Sequence, residues 1–179
     1  MSKESMKKKN LIGGILLTCT FSLISSITVQ ANSLSATPRA GVNNEIPTEI
    51  IEYANIIGNE FNICPELLEA IAYQESSCKS DALNGSCKGL MQLNLHWHIS
   101  RFKDAGWDPA DWTDPYKNMY VAAEYLSELF DEYEDVAMVL YVYNGDSTNM
   151  KKYKENGYLS YYVSEILDTS EELERNHGK

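Results

Sequence analysis

The stretch Cys64-Pro65-Glu66-Leu67-Leu68-Glu69-Ala70-Ile71-Ala72-Tyr73-Gln74-Glu75-Ser76 decides how this chain is read. Proline is well tolerated in a first helical turn, so Cys64-Pro65 marks a helix start. Leu67, Ile71 and Glu75 then fall four apart, with Leu68 and Ala72 beside them. Side chains at that spacing share one helix face, so a carboxylate ends an apolar stripe. At the edge of a core, desolvation disfavours the charged form and raises the pKa. A glutamate in that state holds a proton near neutral pH, as a general acid must. The same position has a plainer reading: a glutamate in a frayed last turn, with Ser76, Ser77 and Cys78 marking only the helix end.

Helical spacing continues on both sides of this segment. Pro47 and Thr48 open a helix running to about Gly58, with Ile50, Ile51, Ala54 and Ile57 facing inward. Downstream, Met119, Ala122, Ala123, Leu126, Leu129 and Phe130 predict a helix from Lys117 to Tyr133. The almost wholly apolar run from Asp135 to Asn144 predicts a central helix. A last helix is expected from Tyr158 to about Leu167, fading into a solvated charged tail over residues 169–179. Between these, residues 79–116 are rich in Gly, Asn, Asp and Pro and predict the loops from which a cleft is built. No internal repeat or low-complexity block interrupts the pattern. The expectation is one compact all-α domain over residues 47–168.

The first residues read as a targeting segment. Lys3, Lys7, Lys8 and Lys9 precede an apolar run from Leu11 to Val29, and Val29-Gln30-Ala31 places small residues where a signal peptidase reads them. Residues 1–31 are therefore expected to be a cleaved signal peptide, with a retained anchor as the competing reading, and residues 32–46 a flexible lead-in. The leader carries four lysines and one glutamate, so removing it takes the net charge from −11 to about −14. Such acidity excludes nucleic-acid binding through backbone charge, and it gives no attraction to an anionic surface. Whatever the domain binds must enter a shaped cleft.

Three cysteines lie beyond the leader: Cys64, Cys78 and Cys87. In an oxidising compartment an odd count leaves one thiol over. Cys78 and Cys87 flank a short polar loop and are the preferred pair, with Cys64–Cys87 as the competitor. No metal is expected, because His96-Trp97-His98 lacks a third ligand. Trp97, Trp107 and Trp112 either pack the loop region or present aromatic faces at the cleft rim.

After the Glu75-Ser76 pair come Gly89-Leu90-Met91-Gln92, then Tyr143-Asn144-Gly145, then Tyr162. In that order these segments resemble the soluble lytic transglycosylase family, over about residues 47–167. Asp114-Pro115, Asn118 and the run from Ala122 to Leu126 are similar to the family's helix leading to the third motif. The resemblance implies a goose-lysozyme-like helical domain, all-α or at most of the α+β lysozyme class, with a substrate cleft and no cofactor. It implies cleavage of peptidoglycan glycan strands between N-acetylmuramic acid and N-acetylglucosamine, with Glu75 as sole acid and base and a 1,6-anhydro product. Ser76, Gly89, Met91, Gln92, Tyr143, Asn144 and Tyr162 are then the expected substrate-side residues. Physically, Gly89 permits close backbone approach beside the carboxylate. Met91 offers a soft apolar surface, or packs the core. Gln92 and Asn144 suit an acetamido group. Tyr143 and Tyr162 carry hydroxyls able to hold the glutamate or the substrate, or else pack the core.

The chain departs from the family pattern at Val142 and Asp146. Asp146 and Asp81 are two carboxylates that could hold a water opposite Glu75 and turn the enzyme into a muramidase, although each also suits a turn. A third reading is a non-catalytic wall-binding component of a secretion, conjugation or spore-associated assembly. The expected setting is extracytoplasmic, with the protein a monomer recruited by a partner for local wall opening.

Overall fold

The computed structural model describes residues 45–179. The signal peptide expected over residues 1–31, and the lead-in up to residue 44, lie outside the described residues. Seven helices and one small sheet follow in order: α1 (Thr48–Phe61), α2 (Pro65–Ser76), β1 (Leu83–Asn84), β2 (Cys87–Lys88), β3 (Leu93–Asn94), α3 (Leu95–Asp104), a 3-10 turn (Pro109–Thr113), α4 (Pro115–Glu132), α5 (Val136–Tyr143), α6 (Ser147–Asn156) and α7 (Tyr161–Asn176). The strands form one antiparallel sheet in the order β1-β2-β3, pairing Leu83 with Lys88 and Cys87 with Asn94. No described helix is long and apolar enough to cross a membrane.

Short polar side chains set the helix starts. Asp114, Asp135, Asp146 and Ser160 each accept a hydrogen bond from a backbone N–H in the first turn of α4, α5, α6 and α7. Asn94 does the same for α3, and Pro65 and Pro115 occupy first helical positions in α2 and α4. Helix α2 is the centre of the packing. α1, α4 and α7 close around it, and Glu66, Leu67, Leu68, Glu69, Ala70, Ile71 and Ala72 are all buried. A helix buried on nearly every side must place some of its polar residues in the core, and α2 does so at Glu66 and Glu69.

Three expectations are corrected by this packing. The loop region 79–116 contains α3 and the sheet, and residues 147–156 form α6. The lead-in is not loose at its end, because Ile46 is buried in the core and Tyr73 donates its hydroxyl to Glu45. The charged tail is not a solvated fringe. α7 runs on to Asn176 with Thr169, Ser170 and Leu173 buried, and the residues beyond it dock on α2. His177 Nδ1 lies 2.9 Å and Lys179 Nζ 2.7 Å from Glu66 Oε1, while Cys64 Sγ lies 3.1 Å from Oε2.

The two buried carboxylates of α2 therefore end in opposite states. Burial alone pushes Glu66 up, but Lys179, His177 and Cys64 outweigh it and hold the group down at about 2. Glu69 has no hydrogen-bond partner on either oxygen, and burial pushes it up to about 7. In the unfolded chain Glu69 ionises near 4.5, so its contribution to stability is complete below that pH and is lost as pH rises to about 7. Glu66 contributes the reverse, present above 4.5 and lost only as pH falls towards 2. We expect Glu69→Gln to remove the Glu69 dependence alone. Relative to the parent, its unfolding free energy should gain about 3 kcal/mol between pH 5 and pH 8. Urea unfolding at the two pH values measures this, and parallel behaviour of the two proteins would exclude a neutral Glu69.

Candidate active site

Glu75 sits in the last turn of α2, and that turn is closed rather than frayed. Ser77 and Cys78 adopt left-handed φ values of 52° and 60°, folding the chain back sharply. Their amides donate to Tyr73 O at 2.8 Å and Ala72 O at 3.3 Å, which caps the helix. Ser76 serves the same closure, donating to Ala72 O at 3.1 Å and accepting from the Lys79 amide at 3.1 Å. The hydroxyl expected on the substrate side is thus spent on the helix end.

Opposite Glu75, Tyr162 enters from the first turn of α7. Its hydroxyl donates to Glu75 Oε1 at 2.5 Å. The position of Tyr162 follows from α5, where the fully buried Tyr141 donates to Tyr158 O at 2.9 Å and accepts from the Ser160 amide at 2.8 Å. That pair of bonds fixes the turn from which α7 starts. Burial raises the pKa of Glu75, and the Tyr162 hydrogen bond partly opposes the rise. Burial and then the Glu75 charge push the Tyr162 phenol far above its ordinary range, so it remains a donor at every working pH. With Oε1 accepting from Tyr162, the acidic proton of Glu75 belongs on Oε2.

A cleft of about 620 Å³ opens over this carboxylate. Of the expected residues, Glu75, Gln92, Tyr143 and Asn144 line it. Gln92 is anchored there by its own Nε2, which donates to Gly89 O at 2.8 Å and Ala82 O at 3.2 Å. Tyr143 lines the wall, and its hydroxyl donates to Met91 O at 2.7 Å. Asn144 is exposed at the end of α5.

Gly89 and Met91 do other work. A Cβ on Gly89 would lie 2.3 Å from Asn118 Nδ2 and 2.6 Å from Trp112 O, so the close approach is to the protein and not to a sugar. Met91 is fully buried and belongs to the core. Asn118, also fully buried, clamps this segment: Oδ1 accepts from the Met91 amide at 2.8 Å, and Nδ2 donates to Trp112 O at 3.0 Å and Lys88 O at 3.3 Å.

The expected Cys78–Cys87 bridge is not formed. Among the described residues Cys64, Cys78 and Cys87 are all free thiols. Cys87 lines the cleft, whereas Cys78 packs against the core near Glu69, where burial and the Glu69 charge push it up to about 11. Neither candidate second carboxylate reaches the site. Asp81 is exposed and not among the cleft-lining residues. Asp146 caps α6, accepting from the Asn149 amide at 3.0 Å and its Nδ2 at 2.7 Å; these bonds lower its pKa. Glu75 is the only carboxylate among the described residues that line the cleft.

The far wall comes partly from the stretch 79–116, where the cleft was expected, and partly from α4. His98 and Arg101 of α3 and Tyr125 of α4 line it. Arg101 pairs with Glu128, its Nη1 lies 3.4 Å from Glu124 Oε2, and its guanidinium lies over the Tyr125 ring at 5.3 Å. Tyr125 in turn lies 6.0 Å from Tyr143. Arg101 falls in the stretch read as loop and Tyr125 in the run read as the helix leading to the third motif, so neither reading paired the two across a cleft. No group of three His, Cys, Asp or Glu among the described residues is placed to hold a metal ion.

Comparison with known proteins adds two findings. A family model described as the transglycosylase SLT domain matches residues 52–162. Among solved structures, the fold is similar to that of the lytic transglycosylase Slt from Pseudomonas aeruginosa, an inactive mutant with glutamine in place of a glutamate. The TM-score is 0.65 at 16% identity, over 76% of this chain and 26% of that one. The present chain thus spans about a quarter of that protein's length. No curated protein sequence matches.

The Tyr162 bond restrains the acidity of Glu75 in a definite direction. Tyr162→Phe removes the one interaction that lowers the Glu75 pKa and leaves burial unopposed. Carboxyl-carbon NMR of the variant should show Glu75 titrating at higher pH than in the parent. An unchanged or lower midpoint would show that the hydrogen bond does not act on the carboxylate.

Proposed function

Because the chain belongs to the transglycosylase SLT domain family, we propose that it cleaves peptidoglycan glycan strands between N-acetylmuramic acid and N-acetylglucosamine without consuming water. The observation that carries this reading is the solitary, half-buried Glu75 in the cleft, with its pKa raised and Tyr162 fixed on Oε1. Glycosidases that add water ordinarily need two carboxylates, one as acid and one as base or nucleophile. Here Asp146 is committed to a helix cap, and Asp81 is absent from the cleft wall.

One carboxylate suffices if the substrate supplies the rest. Glu75 gives its proton to the glycosidic oxygen as the bond from C1 of the muramoyl ring breaks. The acetamide oxygen of that ring then bonds to C1 and carries the positive charge as an oxazolinium. Glu75, now a carboxylate, takes the proton of the muramoyl 6-hydroxyl. O6 displaces the acetamide oxygen at C1, which closes the 1,6-anhydro ring and returns Glu75 to its protonated state. Burial of Glu75 favours the protonated form with which the cycle starts. Tyr162 favours the carboxylate formed midway, and Tyr143 holds the wall beside it. The substrate lies outside the cytoplasm, and so does the proposed site of action.

Product ends decide the reaction. Purified protein incubated with peptidoglycan should yield 1,6-anhydromuramoyl ends by mass spectrometry. Reducing muramic ends would overturn the reading in favour of a muramidase, and no cleavage at all would favour a wall-binding role. Glu75→Gln should lose about 10²- to 10⁴-fold in turnover, the usual contribution of a positioned acid–base group. In the parent, kcat/KM should fall as pH rises through the raised Glu75 pKa, because the acid must enter the cycle protonated.

A further inference from the structure

The three tryptophans separate cleanly by environment. Trp107 and Trp112 are half-buried and pack against the core, Trp107 with its ring centroid 5.1 Å from that of Tyr120. Trp97 is 71% exposed, yet it lines the same cleft as Glu75. Its one ring contact is with the neighbouring His96, edge to face at 4.7 Å. An indole held in solvent at a cleft wall leaves a large apolar face uncovered, and burying such a face stabilises whatever covers it.

Trp97, His98 and Arg101 all line the cleft from α3, and the spacing of Trp97 and Arg101 places both on one helix face. Phe102 alone of the α3 side chains is buried and anchors the other face. On the same helix, the His98 ring lies 4.8 Å from that of Tyr125, tilted at 56°, with its Nδ1 buried and without a partner. Burial, then the Arg101 charge, push the imidazole down to about 4, so it stays neutral and has Nε2 as its one nitrogen open to a ligand. Asn84 and Asn94 of the sheet complete this part of the lining with amides. An uncovered aromatic face beside amides, a neutral imidazole and the ion-paired Arg101 matches a pyranose, which presents an apolar C–H face and an edge of hydroxyl and acetamido groups.

We propose that Trp97 and His98 form a saccharide subsite on α3, binding a ring of the strand other than the one whose bond Glu75 breaks. The subsite rests on the reading of the cleft as a glycan site, and adds that the enzyme selects strands long enough to reach α3. Trp97 stacks on the C–H face of the ring, and His98 meets its polar edge through Nε2, the ring nitrogen that is not enclosed. Both act on binding and leave the chemistry at Glu75 alone.

The test uses the full chain carrying Glu75→Gln, titrated calorimetrically with a hexamer of β-1,4-linked N-acetylglucosamine. Adding Trp97→Ala should weaken binding about tenfold, the size of one lost stacking contact. Adding Trp97→Phe instead should restore most of it. His98→Phe keeps the ring against Tyr125 but removes both nitrogens, and should cost about threefold to tenfold. In the chain with Glu75 intact, Trp97→Ala should raise KM for glycan strands with kcat little changed. Because Trp97 is exposed, its removal leaves the core untouched. Equal affinity with and without Trp97 overturns the subsite and leaves the reaction at Glu75 standing. No hexamer binding by any of the proteins overturns the subsite and leaves the reaction to be decided by its product ends. A Trp97-dependent affinity together with reducing muramic ends upholds the subsite and overturns only the non-hydrolytic reaction.

Discussion

Glu75 is held above the ordinary carboxylate range only where water is kept from one side of it, and that condition rests on the enclosure of α2. Helices α1, α4 and α7 cover the first two turns so completely that the carboxylate emerges at the one end left uncovered. The left-handed pair Ser77 and Cys78 then turns the chain away at once, leaving space over the carboxylate for a cleft. Helix α7 has a double part in this. Its body buries Ile166 and Leu173 with the core, and its first turn delivers Tyr162 to Oε1. Enclosing the helix and tuning the acid are therefore one operation.

The same helix shows how far environment can separate chemically identical side chains. Glu66 has a lysine, a histidine and a thiol around it and is ionised. Glu69, three residues on and equally buried, has no hydrogen-bond partner and is protonated up to about pH 7. Glu75 lies between them, half-buried with a single neutral donor. Only that intermediate condition suits the proposed role, in which Glu75 gives up a proton and then recovers one within a single turnover. A fully paired carboxylate could not act as an acid, and an isolated one would resist becoming a base. Placing Glu69 in the core costs stability above neutral pH, and the docked chain end beyond α7 offsets the equivalent cost at Glu66 alone.

What the sequence disclosed, and what it hid, follows from where the physical signal lies. Helices α2, α4 and α5 announce themselves because each buries apolar residues at helical spacing and starts at a proline or a capping aspartate. Helix α6 buries no residue and leaves no apolar pattern to read, whereas α3 spaces Leu95, Ile99 and Phe102 on one face but is hidden by the Gly, Asn, Asp and Pro around it. Strands of two residues are too short to alternate. The end of α7 is masked differently, since its charges dominate the composition while Thr169, Ser170 and Leu173 face α2. At the site, Glu75 and Tyr162 were legible as a pair of motif positions, and the structure joins them by a hydrogen bond. Ser76, Gly89 and Met91 were legible only as motif positions. A motif does not distinguish a residue that touches substrate from one that shapes the chain around it.

That distinction has a structural logic of its own. The segment from Gly89 to Gln92 is held from two sides, by Asn118 of α4 on the Met91 amide and by Tyr143 of α5 on the Met91 carbonyl. Both hydrogen-bonding groups of one peptide unit's flanks are thereby satisfied, as buried backbone requires. The positive φ of 80° at Gly89 lets the backbone come close enough for Asn118 to make these bonds. The result is a stiff strip joining the sheet, α4 and α5 beneath the cleft floor. Groups fixed in this way cannot adapt to a ligand, and they have no need to: their task is to hold Gln92 and Tyr143 in place. Adaptable contact is left to the exposed side chains at the two margins, Asn144 at the end of α5 and Trp97 on α3. On the proposed function, a cleft divided in this manner would change which strand it holds by altering its margins, while Glu75 and its enclosure stay as they are.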